Sequence, residues 1–322
     1  MKKIITLLLL FTAFPVFAQQ VTDITIVNHQ FFNDLPSASG VEIYNNKIYL
    51  VADDLPWLFE LNNQWEVLNK YPVSGNTQIE NGRTPKKIKA DFESMALVKY
   101  QHKDYMLILS SGSKRVKRDT AYLFSMKKKK VVYKANVRSW YEEIKKKSVI
   151  NNEDEINIEG VAVANNNIYV MHRGNVSGNF MAVSSQDDFI NYLTGKTKAI
   201  PQVKIYRFKL PSENGISAGL SGAATLPDNN GLIVTASLEA TSDVISDGAV
   251  LGSYLGYISF EGMEKDTINL TIIRNANGQI LTKKQEGITI ISVDKAGKYR
   301  ALTVCDNDDG SSDMFEFSFK IR

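Results

Sequence analysis

The chain is 322 residues long and carries 38 Lys and Arg against 35 Asp and Glu, a formal net charge of +3. So even a balance excludes the dominant basic surface of a nucleic-acid binder. A single cysteine, Cys305, excludes an internal disulfide, and its place in an apolar stretch just before Asp306 suits a buried thiol.

The chain opens on Met1-Lys2-Lys3, and residues 4–17 are apolar apart from Thr6, Thr12 and Pro15. Val16-Phe17-Ala18 then sets small residues where signal peptidase reads them. Residues 1–18 are expected to be a cleaved signal peptide, and residues 19–322 a single periplasmic or secreted domain. The apolar run falls short of the ~20 residues of a membrane span. Residues 21–27 alternate, with Ile24 and Ile26 on one side, and are expected to form a strand.

A phrase then recurs: a short strand, a tight polar turn, and a second strand that ends on charged or polar residues. Ser39-Gly40-Val41-Glu42-Ile43 leads through Asn45-Asn46 to Ile48-Tyr49-Leu50-Val51 and ends at Asp53-Asp54. The next copies begin at Glu93, Glu159, Ser221 and Glu286, and their second strands end at Ser111, His172-Arg173, Glu239 and Asp306. Five β-rich units at intervals of 54 to 66 residues are the signature of a propeller. Further strands continue the blades: 57–61 and 65–71 in the first, 121–126 and 131–134 in the second, 203–208 as the third strand of the third, and 254–258 and 267–273 in the fourth. The expected fold is all-β, a single propeller of five four-stranded antiparallel blades. Residues 21–27 are expected to pair near residues 314–319, so that the ring closes without a free edge. A sixth blade would have to lie within 62–92 or 174–220.

Two helices interrupt the pattern. Ser139 and Glu142 fit a capping box that opens a helix through Lys145 to Lys147. Ser185 caps a second helix over residues 187–193, and Gly195 would end it. In a four-stranded blade the one-to-two and three-to-four turns share one face of the disc. The two-to-three loops and the links between blades share the other. Turns of the first kind are short, such as Asn45-Asn46 and residues 165–167, whereas residues 74–92, 136–157, 174–202 and 240–253 form long connections of the second kind. Long loops on a rigid scaffold concentrate binding and catalysis. The functional face is therefore expected to be the long-looped one, with both helices on it.

At that mouth the first strands begin and the second strands end. Glu93, Glu159 and Glu286, with Ser39 and Ser221, are expected to ring the axis, with Asp53, Asp54, Glu239, Asp306 and Asp308 close by. Facing carboxylates share protons, pair with cations or bind a metal. Glu93, Glu159, Glu286 and Asp306 are the candidate metal ligands, and oxygen ligands without a second His or Cys suit Ca2+ better than Zn2+. The same residues equally suit a structural ring in which each carboxylate or hydroxyl locks neighbouring backbone N–H groups. Arg115, Asp53 and Glu239 are the candidate ligand-binding residues. A small anion such as a phosphate or carboxylate would suit the cations Arg83, Lys86, Lys87, Lys89, Arg118, Lys283 and Lys284 nearby. His172 and Arg173 are the candidate catalytic pair, an acid–base group beside an oxyanion partner. No G-x-S-x-G elbow, phosphate loop or His-rich metal spacing occurs. Asp306-Asn307-Asp308-Asp309-Gly310 looks like a calcium loop but lacks its distant Glu, so a solvated turn is expected there.

Ser39-Gly40-Val41-Glu42, Phe92-Glu93-Ser94-Met95-Ala96, Ile158-Glu159-Gly160-Val161-Ala162 and Gln285-Glu286-Gly287-Ile288 resemble the blade signatures of the phytase-like β-propeller superfamily. Within it they look like the branch described as esterase-like activity of phytase and related exported bacterial families of unknown function. The resemblance spans nearly all of residues 20–322. It implies an acidic site at the channel mouth, Ca2+ held there, and phosphoester or ester substrates. Two functions stay open on the sequence. An exported hydrolase of phosphorylated or esterified substrates is favoured by the acids and cations of the mouth. A non-catalytic propeller that binds a glycan, peptide or protein is favoured by the absence of a nucleophile motif.

Overall fold

The computed structural model describes residues 19–150, 154–174, 178–213, 215–240, 248–264 and 266–322, so the expected signal peptide lies outside the described residues. Polar two-residue turns set the repeat. Asn45-Asn46, Gln101-His102 and Asn165-Asn166 all take positive φ, between 49° and 59°. Paired left-handed residues match the twist of the strands they join, and asparagine tolerates that region well. Each repeat folds as a four-stranded antiparallel sheet.

The first blade is Ala38–Tyr44, Lys47–Ala52, Trp57–Leu61 and Val67–Pro72. The second is Phe92–Tyr100, Lys103–Ser110, Thr120–Ser125 and Lys130–Asn136. The third is Ile158–Ala164, Asn167–His172, Asn179–Ser185 and Lys204–Phe208. The fourth is Gly219–Thr225, Gly231–Glu239, Val250–Ser259 and Leu270–Ile272. The fifth is Lys284–Val293, Lys298–Asp306 and Ser312–Ile321, completed by Val21–Phe32 from the start of the chain. The first strands of all five blades pack on one another in cyclic order around the axis. The fold is a five-bladed propeller.

The closing strand behaves as its alternation requires. Val21 pairs with Ile321, Ile26 with Phe317 and Phe32 with Ser312, covering the strand that would otherwise be an open edge. Apolar side chains fill the seams between neighbouring blades, for example Leu58, Met95, Ile108 and Phe124 between the first two. Among the described residues, no helix is long and apolar enough to cross a membrane.

Blade three differs from expectation. Its third strand is Asn179–Ser185, and residues 204–208 are its fourth. Helix α2, Gln186–Leu193, therefore interrupts the three-to-four connection and belongs to the opposite face from the long two-to-three loops. Helix α1, Arg138–Ser148, lies in the link between blades two and three, on the mouth side. The two meet in the seam between those blades, where Trp140 packs on Phe189 at 4.5 Å and donates from Nε1 to Ser184 Oγ at 3.1 Å. Ser185 caps α2 as expected, accepting from Asp188 N–H. The capping box of α1 does not form. The helix starts two residues earlier, with buried Val137 at the cap, and Asn136 Oδ1 accepts from Arg138 N–H at 3.0 Å. Arg138 is held there by Asp119 and by the carbonyl of Gly112, which sets where the helix begins.

Candidate functional site

Every first strand carries a register shift at the same point, between Ala38 and Gly40, Phe92 and Ser94, Ile158 and Gly160, Leu220 and Gly222, and Gln285 and Ile288. A bulge inserts an unpaired residue and re-aims its side chain. The unpaired residues are Ser39, Glu93, Glu159, Ser221 and, in blade five, Glu286 with Gly287. The glycines beside them let neighbouring inner strands approach backbone to backbone. A Cβ on Gly287 would lie 2.6 Å from Ser39 O, and one on Gly222 would overlap the Glu286 carbonyl oxygen. Only about 10 Å3 of hollow remains at this level. The channel is closed there, and the carboxylates stand on its floor.

Two buried charge networks occupy the mouth. In the first, Arg173 Nη1 lies 3.2 Å from Glu159 Oε2 and 3.9 Å from Glu286 Oε1, and Nη2 donates to Glu239. Lys284 Nζ lies 3.2 Å from Glu286 Oε1 and 3.8 Å from Glu239 Oε1. Blade four begins on Gly219 because a Cβ there would sit 2.6 Å from Arg173 Cγ. Burial disfavours the Glu239 charge, but Arg173 and Lys284 outweigh it and hold that carboxyl below its ordinary range. Glu286 lies deeper, and burial raises its carboxyl well above the usual range despite Lys284 and Arg173.

In the second network Lys89 Nζ donates to Asp53, and lies 3.1 Å from Asp54 Oδ1 and 3.2 Å from Asp91 Oδ1. Arg118 Nη1 lies 2.8 Å from Asp91 Oδ2, Arg83 Nη1 3.4 Å from Asp54 Oδ2, and Ser111 Oγ donates to Asp91. Burial opposes the Asp91 charge, yet Lys89, a hydrogen bond from Asp53, Arg118 and Ser111 keep this carboxyl low. Burial and then Asp91 push Asp53 well above its ordinary value. Glu93 stands between the two networks, partly open to the mouth, and makes no hydrogen bond or ion pair with any described residue. Burial, then Asp53, Asp91, Glu159 and Glu286, raise its carboxyl well above the usual range.

With Asp306, the acids named here outnumber the cations Arg83, Lys89, Arg118, Arg173 and Lys284 by eight to five. Such an excess calls for protons or for a further cation. One group has the geometry for the second. Asp53, Asp91 and Glu93 each offer an oxygen, all within 4.8 Å of one another; the buried Asp53 Oδ1 accepts no hydrogen bond, and the buried Asp91 Oδ1 meets Lys89 Nζ at 3.2 Å. Lys89 already brings one positive charge to Asp53 and Asp91, so a second cation would share them with it. Carboxylate oxygens without nitrogen or sulfur fit a hard ion such as Ca2+.

The expected site residues thus fall into separate places. Glu93 and Asp53 come together, joined by Asp91, which the sequence reading missed. Its signal was there, a carboxylate two positions before Glu93 at the end of a long loop. Glu159, Glu239 and Glu286 gather around Arg173. Asp306 ends the second strand of blade five opposite Lys284, where it accepts from Asp308 N–H at 2.8 Å. Arg115 does not join the ring. Its side chain is 69% exposed and lies 3.0 Å from Glu142 of α1, while Arg118 three residues on reaches Asp91. His172 stacks at 4.4 Å on Phe180, which packs in the seam between blades two and three, and Asn157 beside it donates from Nδ2 to Glu159 Oε1 at 2.6 Å. The His172 Nδ1 accepts from Asn157 N–H at 3.1 Å, and burial lowers its pKa to about 3. Held neutral by burial, this ring is a poor proton donor at pH 7.

Fold and mouth together define a five-bladed propeller with a closed channel and an acid-rich, cation-laced floor. The chain belongs to the family of unknown function DUF6929, whose model matches residues 34–319. No curated protein matches it. Among solved structures it is similar to the Myxococcus xanthus glutaminyl cyclase, at 10% identity and a TM-score of 0.50, over 93% of this chain and 97% of that one. It is also similar to a thermostable family-43 glycoside hydrolase, at 13% identity and a TM-score of 0.47, over 93% and 91%. A third is the Staphylococcus aureus virginiamycin B lyase, at 11% identity and a TM-score of 0.40, over 91% and 99%. At these identities the likeness is one of fold alone.

Proposed function

We propose that this chain is an exported propeller that holds Ca2+ at Asp53, Asp91 and Glu93 and, through it, the phosphate or carboxylate of a phosphorylated or esterified substrate that it hydrolyses. The supporting observation is the cluster of three carboxylates, with the buried Asp53 Oδ1 unpartnered, on a mouth where acids exceed cations. The resemblance of the blade signatures to phytase-like propellers points the same way. Ca2+ takes six to eight oxygens, so three carboxylates would leave positions for water and an anionic ligand. A bound ion of this kind polarises a phosphoryl or carbonyl oxygen.

The chain's own residues have separate duties in this scheme. Lys89 and Arg118 orient Asp53 and Asp91. Arg173 and Lys284 hold Glu159, Glu239 and Glu286 against one another and so brace the floor. Glu93, free of partners and partly open, is the group placed to meet a ligand.

Thermal unfolding in chelator and in millimolar CaCl2 tests the ion, and turnover of generic phosphomonoesters, phosphodiesters and carboxylesters under the same conditions tests the chemistry. Calcium is expected to raise the parent's melting temperature by several degrees, through linkage to the folded state, and to leave Glu93→Gln unmoved. Turnover is expected only with calcium. An unchanged melting temperature would remove the ion from the proposal. A calcium-stabilised protein that turns over none of the three classes would leave a binding propeller instead.

A further inference from the structure

At the opposite end of the axis the inner strands leave a second hollow. Its volume is about 280 Å3, and short side chains such as Ala96, Ala162, Ala223 and Ala224 line it. Glu42 is the one charged residue of that lining. Three neutral donors fix its carboxylate: Thr289 Oγ1 of blade five at 2.8 Å, Leu97 N–H of blade two at 3.4 Å, and Ile43 N–H at 2.9 Å. No described cation pairs with it, in contrast to Glu159, Glu239 and Glu286 at the mouth. Burial raises the Glu42 carboxyl above its ordinary range, as expected for an acid in an apolar cup without a counter-charge.

We propose that this cup binds a small organic ammonium ion, its charged head on Glu42 and its apolar body against the alanines of the inner strands. The charge is what the cup lacks, and the apolar wall is what separates such an ion from a metal cation. The volume lies at the lower edge of the ~300–1,000 Å3 typical of ligand sites, so the occupant is an amine of a few carbons. The glycine-packed floor, with its hollow of about 10 Å3, divides this cup from the mouth. The site is therefore independent of the calcium proposed there.

Isothermal titration calorimetry of the chain with n-butylammonium chloride, and with 1-butanol as the neutral match, tests the cup. Butylammonium is expected to saturate a single site and 1-butanol to bind on the order of ten- to a hundredfold more weakly, the scale of one charge-assisted hydrogen bond. Glu42→Gln keeps an oxygen for Thr289 and Leu97 and is expected to cost the same factor. Ala223→Leu fills the hollow without touching Glu42 and is expected to abolish binding, which covers the case where Glu42→Gln does not fold. Absence of saturable binding overturns the proposal, and so does equal affinity for the alcohol. Binding that survives Ala223→Leu and is displaced by calcium would place the amine at the acidic mouth and overturn it as well.

Discussion

At the scale of single residues, burial decides what each titratable group can do. His172 is 1% exposed and stacked on an aromatic ring, so its neutral form is the folded one. Its pKa falls from 6.5 to about 3 on folding. The unfolded chain then binds this proton more tightly, and the stability linked to His172 is complete above pH ~6.5 and declines as the pH falls toward 3. Between pH 7 and pH 5 the loss amounts to roughly 2 kcal/mol. Urea unfolding at the two pH values is expected to show that difference in the parent and to lack it in His172→Gln. An equal pH dependence in both proteins would mean that the ring is not the buried titrating group. Arg173 has the opposite character, a charge that three glutamates require. Arg173→Ala is expected to cost about 3–5 kcal/mol, the usual penalty for stranding buried partners. Adding Glu239→Gln to that variant is expected to restore part of the loss, because one stranded carboxylate then becomes neutral.

At the scale of elements, the inner strands were legible and the insertions were not. The start of each repeat, a serine or glutamate followed in four of five cases by glycine, marks the bulge that builds the floor. The glycine is required where backbone meets backbone. Gly222→Ala would drive a methyl group into the Glu286 carbonyl, and overpacking of this kind costs ~1–3 kcal/mol or more. Ser94→Gly, which gives blade two the form of the other four, is expected to stay within about 1 kcal/mol of the parent. Denaturant midpoints of the two variants decide the matter. If both lose stability equally, close approach at the floor is not what the glycines supply. Strand Asn179–Ser185 escaped notice because helix α2 follows it directly, and because its burial lacks the alternation of a half-exposed strand. That one omission moved α2 to the wrong face. Asp91 escaped for a related reason, since it belongs to a loop and reaches Asp53 only through the packing of blade one against blade two. The glutamates of the ring could be found from their repeat. Their partners, chosen in three dimensions, could not.

At the scale of the whole molecule, closure depends on a strand at the wrong end of the sequence. Val21–Phe32 forms the outer edge of blade five, and its pairing runs from Ile321 to Ser312. The fifth blade therefore exists only when both ends of the described chain are in place. Chain entropy opposes joining segments so far apart, although loop closure grows only slowly with length. The return is pairing of the Ser312–Ile321 strand along its outer side, together with burial of Val21 in the cluster of Phe317 and Phe319. Removing residues 19–32 is expected to expose the Ser312–Ile321 strand as a new edge and to cost roughly 5 kcal/mol or more, comparable with the full stability of many domains. A chain cut in this way should lose its single cooperative unfolding transition and associate with rising concentration. A synthetic peptide of residues 19–32 added in trans should restore the transition by refilling the vacant place in the blade. If the shortened chain instead unfolds at the parent's midpoint, the other three strands of blade five suffice, and the closing strand is an ornament of the ring and not its latch.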